Sequence, residues 1–275
     1  MSIGVITILF LLSSCAPSAS PPRTSNELLN ELEPFYKVFK PNSPPPYPTV
    51  MLFHGAQITA WRSDIEKIKD VFLEQNYAVV FVDSYANRGI GGKDLVKWKL
   101  LPKERAGDLF VTLGWLRNQS WCDKNQIVAW GQSHGAATIM DSLVLFSQNK
   151  TPSSLNSSEA ISLDGLKAAI LFFPWCQDRF MGVELIKAVE NDWTLSLPIL
   201  AILAGKDKYQ PLCTEILKRQ LAKGHPIEII NYPNAHHSFS AKEYGPSKPN
   251  SNYNPEISKK AYDAVRNFLT KIENN

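Results

Sequence analysis

The sequence predicts an α/β fold in which a mainly parallel central sheet is covered by helices on both faces. Short apolar runs of strand type alternate along the chain with longer segments of helical periodicity. Each intervening segment is long enough to be a crossover helix, which parallel neighbouring strands require. The strand-type runs are TVMLFHG, YAVVFVDS, QIVAWG, LKAAILFFP, PILAILAG and PIEIINYP.

The helical segments separate these runs, and nothing in the sequence divides the chain into two domains. The 275 residues, of which 44% are hydrophobic, suffice for one large core. We therefore expect a single α/β domain over residues 36–273, with surface loops at 151–159 and 245–255. The predicted helices lie in segments 62–76, 104–119, 136–148, 179–191, 213–224 and 257–272.

The N-terminus differs from the rest of the chain. Residues 1–14 are apolar and uncharged, too short to span a bilayer but typical of a secretory signal peptide, although no Lys or Arg precedes the apolar run. Leu12 to Cys15 resembles the bacterial lipobox, which predicts cleavage before Cys15 and its lipidation, with residues 15–35 as a polar tether. Because Ala16 follows, we expect anchoring to the outer membrane on the periplasmic side of a bacterial envelope. The alternative is an ordinary cleaved signal.

Charge and cysteine content limit the partners. The net charge of +3 is spread along the chain, so no nucleic-acid partner is expected. No CxxC or Cys/His cluster indicates a metal site. Cys176 and Cys213 each follow a strand-type run, so they could meet at one edge of the sheet as a disulfide. The alternative is that these two and Cys122 are buried reduced thiols.

The pentapeptide GQSHG at 131–135 lies between a strand-type run and a helical segment. In this context G-x-S-x-G is typical of a nucleophile elbow, a tight turn that needs small residues and exposes the serine hydroxyl. The turn also directs the N-terminus of the next helix at the serine. The sequence therefore predicts Ser133 as a nucleophile, and the alternative is an ordinary serine between two glycines.

A serine hydroxyl needs a base to take its proton and a carboxylate to orient that base. With this elbow the chain order is serine, then acid, then histidine. NYPNAHHSF follows the last strand-type run and offers His236 and His237 as bases. LAGKDKYQP places Asp207 directly after a strand, and Asp178 after an earlier strand is its rival.

An oxyanion formed at Ser133 would need hydrogen-bond donors that are fixed in advance. The backbone N–H of His134, the residue after the nucleophile, is one candidate. MLFHGAQ after an early strand offers the N–H of Ala56 or, failing that, of Gln57. We expect His54 in the same loop to have a structural role.

These segments together resemble the dienelactone hydrolase family of α/β-hydrolases over residues 36–273. The resemblance implies Ser133 as nucleophile, Asp207 as acid and His237 as base, since the second histidine precedes x-Phe as in the family. The matching segments are TVMLFHGAQ, FVDSYANRG, ERAGDLFVTLGWL, WGQSHGA, FFPWC, GKDKYQP and YPNAHHSF.

One departure from the family and one family feature bear on the substrate. The namesake enzymes use a cysteine nucleophile, whereas serine at this elbow also suits ordinary carboxylic esters. Those enzymes hold an anionic substrate with arginines, which makes Arg88, with Gln57, a candidate for substrate binding here. The alternative role for Arg88 is a loop-fixing ion pair with Asp83 or another acid.

The resemblance thus implies a serine hydrolase that cleaves a small-molecule ester or lactone through an acyl-enzyme, without a cofactor. One alternative is a peptidase or amidase of the same fold. Another is a binding lipoprotein that retains the fold without turnover, because fold does not dictate function. The sequence does not predict the oligomeric state or the natural substrate.

Overall fold

A computed structural model describes residues 21–56, 61–91, 99–180, 183–187, 189, 191–245 and 248–274. Its strands are β1 (Lys37–Phe39), β2 (Tyr47–Phe53), β3 (Ala78–Val82), β4 (Cys122–Gln132), β5 (Leu166–Phe172), β6 (Gln177–Phe180), β7 (Val183–Lys187), β8 (Ile199–Ala204), β9 (Ile227–Tyr232), β10 (Glu243–Gly245) and β11 (Lys248–Pro249). Seven of these strands form a central sheet in the order β1-β3-β2-β4-β5-β8-β9. Its strands pair in parallel, except that β1 is antiparallel to β3 at one edge.

Helices cover both faces of this sheet, as the sequence predicts. The helices are α1 (Ser25–Leu32), α2 (Ser63–Glu74), α3 (Pro102–Arg117), α4 (His134–Ser147), α5 (Pro211–Ala222) and α6 (Pro255–Glu273). Apolar residues of α3, α4 and α5 pack on one face, and those of α2 and α6 pack on the other.

Side-chain alternation along the strands produces the two cores. In β2, Met51 and Phe53 face the first core, whereas Val50 and Leu52 face the second, and all four are fully buried. Both faces of a parallel sheet are covered, so its strands read as nearly continuous apolar runs. The six strand-type runs of the sequence correspond to β2, β3, β4, β5, β8 and β9, and the predicted fold class is confirmed.

The predicted helix over residues 179–191 is wrong. Here β6 and β7 form an antiparallel hairpin instead. Apolar residues at helical spacing suggested the helix, but Val183 and Leu185 also alternate as in a strand, and periodicity does not distinguish short segments of this kind. Pairing between the two strands supplies the backbone hydrogen bonds that a helix would have made.

Part of the predicted tether belongs to the folded domain. α1 begins with a capping box between Thr24 and Glu27. Leu28 and Leu32 are fully buried and pack with residues of α3 and of the loop after α4. The predicted signal peptide and Cys15 lie outside the described residues. Within the described ranges, no helix is both long and apolar enough to cross a bilayer.

Cys176 and Cys213 are joined in a disulfide, with their Cα atoms 5.4 Å apart. Cys176 lies just after β5 and Cys213 in the first turn of α5, so the bond links two segments at the carboxyl edge of the sheet. Both cysteines are buried, and Cys122 is a buried free thiol.

Because Leu28 is fully buried, Leu28→Ala should lower the free energy of unfolding by about 2–5 kcal/mol, the range for a large-to-small change in a core. Asn30→Ala, at an exposed position on the same helix, is the control and should stay within about 0.5 kcal/mol of wild type. Urea unfolding measures both. Equal stabilities for the two variants would mean that α1 does not dock in solution.

Candidate active site

The candidate catalytic residues follow parallel strands that end at the same edge of the sheet. Ser133 comes directly after β4, Asp207 after β8 and His237 after β9, while Ala56 follows β2. In open sheets of this kind, the carboxyl ends of the strands are where binding sites form. The topology therefore brings the side chains of Ser133 and His237, which are 104 residues apart in the sequence, into contact.

Ser133 has a strained backbone conformation. Its φ of 52° and ψ of −116° place a residue with a side chain in a region that non-glycine residues rarely occupy. The surrounding chain holds it there, because its N–H donates to the Phe172 carbonyl and its carbonyl accepts from the N–H groups of Ala137 and Trp175. The hydroxyl is thereby directed away from the sheet, as the nucleophile-elbow prediction requires.

The two glycines of GQSHG are needed for close backbone approach. A Cβ atom on Gly135 would lie 2.1 Å from the Phe53 carbonyl oxygen, at the end of β2. A Cβ atom on Gly131 would lie 2.6 Å from the backbone of Gly135 itself. Any larger residue at either position would push α4 away from the sheet.

A continuous set of hydrogen bonds joins Ser133, His237 and Asp207. Ser133 Oγ lies 2.8 Å from His237 Nε2, and His237 Nδ1 lies 2.5 Å from Asp207 Oδ2. Asp207 Oδ1 accepts a further bond from the Tyr209 N–H at 2.9 Å. A carboxylate accepts from Nδ1–H, so Nε2 carries the lone pair that faces the serine hydroxyl. This is the arrangement in which an imidazole can take a proton from serine.

Further contacts fix the His237 ring, and no sequence motif predicted them. The rings of Phe173 and Tyr209 meet the imidazole edge-on, with centroids 5.3 and 5.0 Å away. Asn252 donates from its side-chain amide to the His237 carbonyl at 3.2 Å. Asn252 lies in the predicted surface loop 245–255, where no local pattern distinguishes it from a solvated polar residue.

The two predicted oxyanion donors lie on opposite sides of Ser133 in the chain. The N–H of His134 begins α4, and the first N–H groups of a helix have no acceptor within the helix. Ala56 lines the same cavity as Ser133. Gln57, the alternative donor and candidate substrate-binding residue, lies outside the described residues.

The imidazole of His134 is buried and neutral. Its Nε2 donates to the Leu100 carbonyl at 2.7 Å, and its ring stacks on Trp175 with the centroids 5.5 Å apart. Burial, together with the positive charge of Arg105, lowers the pKa of His134 to about 3. This ring therefore cannot serve as a base near neutral pH, and the backbone of His134 is the part available to a substrate.

His54 is fully buried beneath the loop that carries Ala56. Its Nδ1 lies 2.8 Å from the Gly55 carbonyl oxygen, and its Nε2 lies 3.8 Å from Asp83 Oδ1. Burial and the charge of Arg105 hold the pKa of His54 well below its usual value. These contacts agree with the structural role that the sequence suggested.

Arg88 does not lie in the cavity that contains Ser133. Its guanidinium forms a two-bonded ion pair with Asp108 of α3, at 2.7 and 3.0 Å, and its side chain is 5% exposed. The loop-fixing alternative therefore describes Arg88, with Asp108 rather than Asp83 as its partner, and the substrate-binding role is corrected. The segment FVDSYANRG predicted that Arg88 lies near the site. The direction of its side chain depends on how α3 packs, which the segment does not encode.

A cavity of about 550 Å³ opens above Ser133. Its walls come from the acid loop, from the histidine loop and from the segment around β10 and β11.

Asp178, the rival acid, is buried and does not line this cavity. Within the described ranges, no group of His, Cys, Asp and Glu is placed to hold a metal ion. Besides Ser133, Asp207 and His237, the lining residues include Ala56, Trp175, Lys206, Lys208, Tyr209, His236, Ser238, Tyr244, Lys248 and Asn252.

Solved structures define the class of fold. Apo esterase 2 of Thermogutta terrifontis superposes with a TM-score of 0.62 and 17% identity, over 86% of this chain and 89% of that one. The butyrate-bound form gives a TM-score of 0.62 and 15% identity, over 86% and 88%. A Klebsiella pneumoniae protein provisionally assigned as a dienelactone hydrolase gives 0.60 and 15%, over 86% and 99%. The chain therefore has the α/β-hydrolase fold.

A comparison with protein families gives a match to part of the chain. A model of the dienelactone hydrolase family matches residues 154–273. This range contains Asp207 and His237, whereas Ser133 precedes it. The resemblance to the dienelactone hydrolase family is thus confirmed over residues 154–273. No curated protein matches the sequence significantly.

The low pKa of His134 predicts how stability depends on pH. An unfolded histidine has a pKa of about 6.5, so the unfolded chain binds a proton that the folded chain rejects. The stability contributed by His134 is therefore complete above about pH 6.5 and is lost as the pH falls toward 3. His134→Gln should remove up to about 1.4 kcal/mol per pH unit of this dependence.

Urea unfolding between pH 7 and pH 4 measures the slope. His236→Gln, at an exposed position, is the control and should retain the wild-type slope. The pKa of His54 is also lowered, so part of the dependence of stability on pH should persist in His134→Gln. An unchanged slope in that variant would show that the ring is not buried and neutral in solution.

Proposed function

We propose that this protein is a serine hydrolase that cleaves a carboxylic ester or lactone through an acyl-enzyme. The observation that carries the proposal is the pair of short contacts from Ser133 Oγ to His237 Nε2 and from His237 Nδ1 to Asp207 Oδ2. They lie at the base of a cavity large enough for a small organic substrate. The match to the dienelactone hydrolase family supports the same class of reaction.

Acylation is the first half of the proposed reaction. Ser133 Oγ attacks the ester carbonyl carbon while its proton passes to His237 Nε2. The electron pair of the carbonyl moves to its oxygen, which the N–H groups of His134 and Ala56 stabilise. As the carbonyl re-forms, the bond to the alcohol oxygen breaks, and the alcohol leaves with the proton from His237.

Deacylation repeats these steps with water as the nucleophile. His237 takes a proton from water, the resulting hydroxide adds to the acyl carbon, and Ser133 leaves with that proton as the acid is released. Asp207 holds the imidazole in the required tautomer and stabilises the imidazolium. The charge of Asp207 is well placed for this, because its side chain is fully buried and its second oxygen is held by Tyr209.

The volume of the cavity is suited to a small-molecule substrate. Two similar structures provide a guide, since esterase 2 of Thermogutta terrifontis has been obtained with butyrate bound and phosphorylated by paraoxon. By analogy, we propose that esters of short acyl groups fit this chain and that organophosphorus probes label its serine. A fluorophosphonate probe and a short-chain aryl ester are therefore suitable first reagents.

Ser133→Ala should abolish both aryl-ester hydrolysis and labelling by a fluorophosphonate probe, because it removes the protein atom that bonds to the acyl group in the proposed mechanism. Ser157→Ala, at an exposed position, is the matched control and should behave as wild type. The measurement combines a steady-state assay with gel detection of the probe. A folded wild-type protein that neither hydrolyses nor labels would favour the non-catalytic binding alternative.

Asp207→Asn should reduce kcat on the order of 10⁴-fold, the loss seen when a triad carboxylate is neutralised and the histidine adopts the wrong tautomer. Asp178→Asn is the control, since it changes the rival acid in the same way and should leave kcat close to wild type. Steady-state kinetics with a saturating aryl ester distinguish them. If the Asp178 variant lost activity and the Asp207 variant kept it, the acid would be misassigned.

A further inference from the structure

Arg105 of α3 is a fully buried charge that the proposed mechanism does not use. Its relative exposure is 0%, and burial lowers the pKa of its guanidinium. Among the described residues, no carboxylate lies within ion-pair distance of it. Asp108, one helical turn further along α3, engages Arg88 instead. A buried cation without a paired anion is costly, so its neutral contacts need a reason.

The contacts of Arg105 lead to both sides of the candidate oxyanion hole. Its Nη1 donates to the His54 carbonyl at 2.6 Å and lies 3.4 Å from His134 Nδ1. Its Nε donates to Ser84 Oγ at 2.8 Å. His54 comes two residues before Ala56, and His134 itself carries the other proposed N–H donor. One guanidinium nitrogen therefore contacts both segments that supply oxyanion donors.

The tautomer of His134 fits this role. Because His134 Nε2 donates to the Leu100 carbonyl, its Nδ1 carries a lone pair and can accept from Arg105. Nη1 has two protons, one for the carbonyl and one for the imidazole. The guanidinium also lies over the rings of Phe53 and Tyr85, at 5.7 and 5.5 Å from their centroids, which restricts its movement.

We propose that Arg105 is a positioning residue for the oxyanion hole. Its guanidinium holds the end of β2 and the start of α4 at the separation where the N–H groups of Ala56 and His134 can donate to one oxygen. This inference rests on the proposed serine hydrolase function. Arginine suits the role better than lysine, because a planar guanidinium spans several acceptors in a fixed geometry and an ammonium does not.

The test compares Arg105→Lys and Arg105→Met with wild type. Loss of one oxyanion donor typically costs about 10²–10³-fold in kcat, so displaced donors should cost about 10–100-fold. We expect that loss in kcat, with KM within about threefold of wild type, because the contacts strengthen only as the oxyanion forms. The Lys variant should be the less impaired of the two.

A boronic acid inhibitor provides the readout that a merely structural role would not move. The boron atom forms a tetrahedral adduct with serine, and an oxygen on boron occupies the oxyanion hole. In the Arg105 variants, the Ki of the boronic acid should therefore rise by about the same factor as kcat falls. The pH dependence of kcat/KM should keep its wild-type shape, since Arg105 does not contact His237. Leu116→Ala, a fully buried position on the same helix, is the stability control and should melt earlier with unchanged kcat and Ki.

Three outcomes in a folded Arg105 variant would each overturn the proposal. The first is a kcat and a boronate Ki that both stay within twofold of wild type. The second is a rise in KM at constant kcat, and the third is a loss of kcat without weaker boronate binding. If Arg105→Met does not fold, Arg105→Lys and Ser84→Ala decide, the latter removing only the Nε partner and giving a smaller loss of the same kind. Failure of the proposed function is distinct, since wild type would then neither hydrolyse esters nor label.

Discussion

The close packing of α4 against the end of β2 sets the geometry of the whole candidate site. At Gly135 the helix backbone lies so near the Phe53 carbonyl that only a hydrogen fits between them. This contact forces the turn before the helix to be tight and places Ser133 in its rare conformation. The same contact brings the start of α4 beside the loop after β2, so the nucleophile and both proposed oxyanion donors derive from one packing feature.

Electrostatics around the elbow divides into two parts with different roles. On the open side, His237 is partly exposed and hydrogen-bonded to the buried Asp207, as the proposed mechanism requires of its base. On the buried side, His134 and His54 are held neutral by burial and by Arg105. Burial thus distinguishes the imidazoles of His134 and His54, which are held neutral, from that of His237, whose Nε2 lies beside the serine hydroxyl.

Local chemistry explains why much of the site could be read from the sequence. GQSHG, GKDKYQP and NAHHSF each follow a strand, and the carboxyl ends of parallel strands meet at one edge. The sheet direction and the chain order therefore placed Ser133, Asp207 and the pair His236 and His237 at this edge, whereas the choice of His237 over His236 rested on the family resemblance. Residues 179–191 show the limit of such reasoning, because a short apolar spacing there fits a helix and a hairpin equally well.

Periodicity and turn chemistry are local properties of the chain, so the alternating architecture and the candidate catalytic residues could be read from the sequence. Three features could be seen only in the folded chain: α1 docks on α3, Arg88 pairs with Asp108, and Arg105 bridges His54 and His134. These contacts join residues distant in sequence through side-chain direction. Direction is set by how helices pack on the sheet, and no short motif encodes that packing.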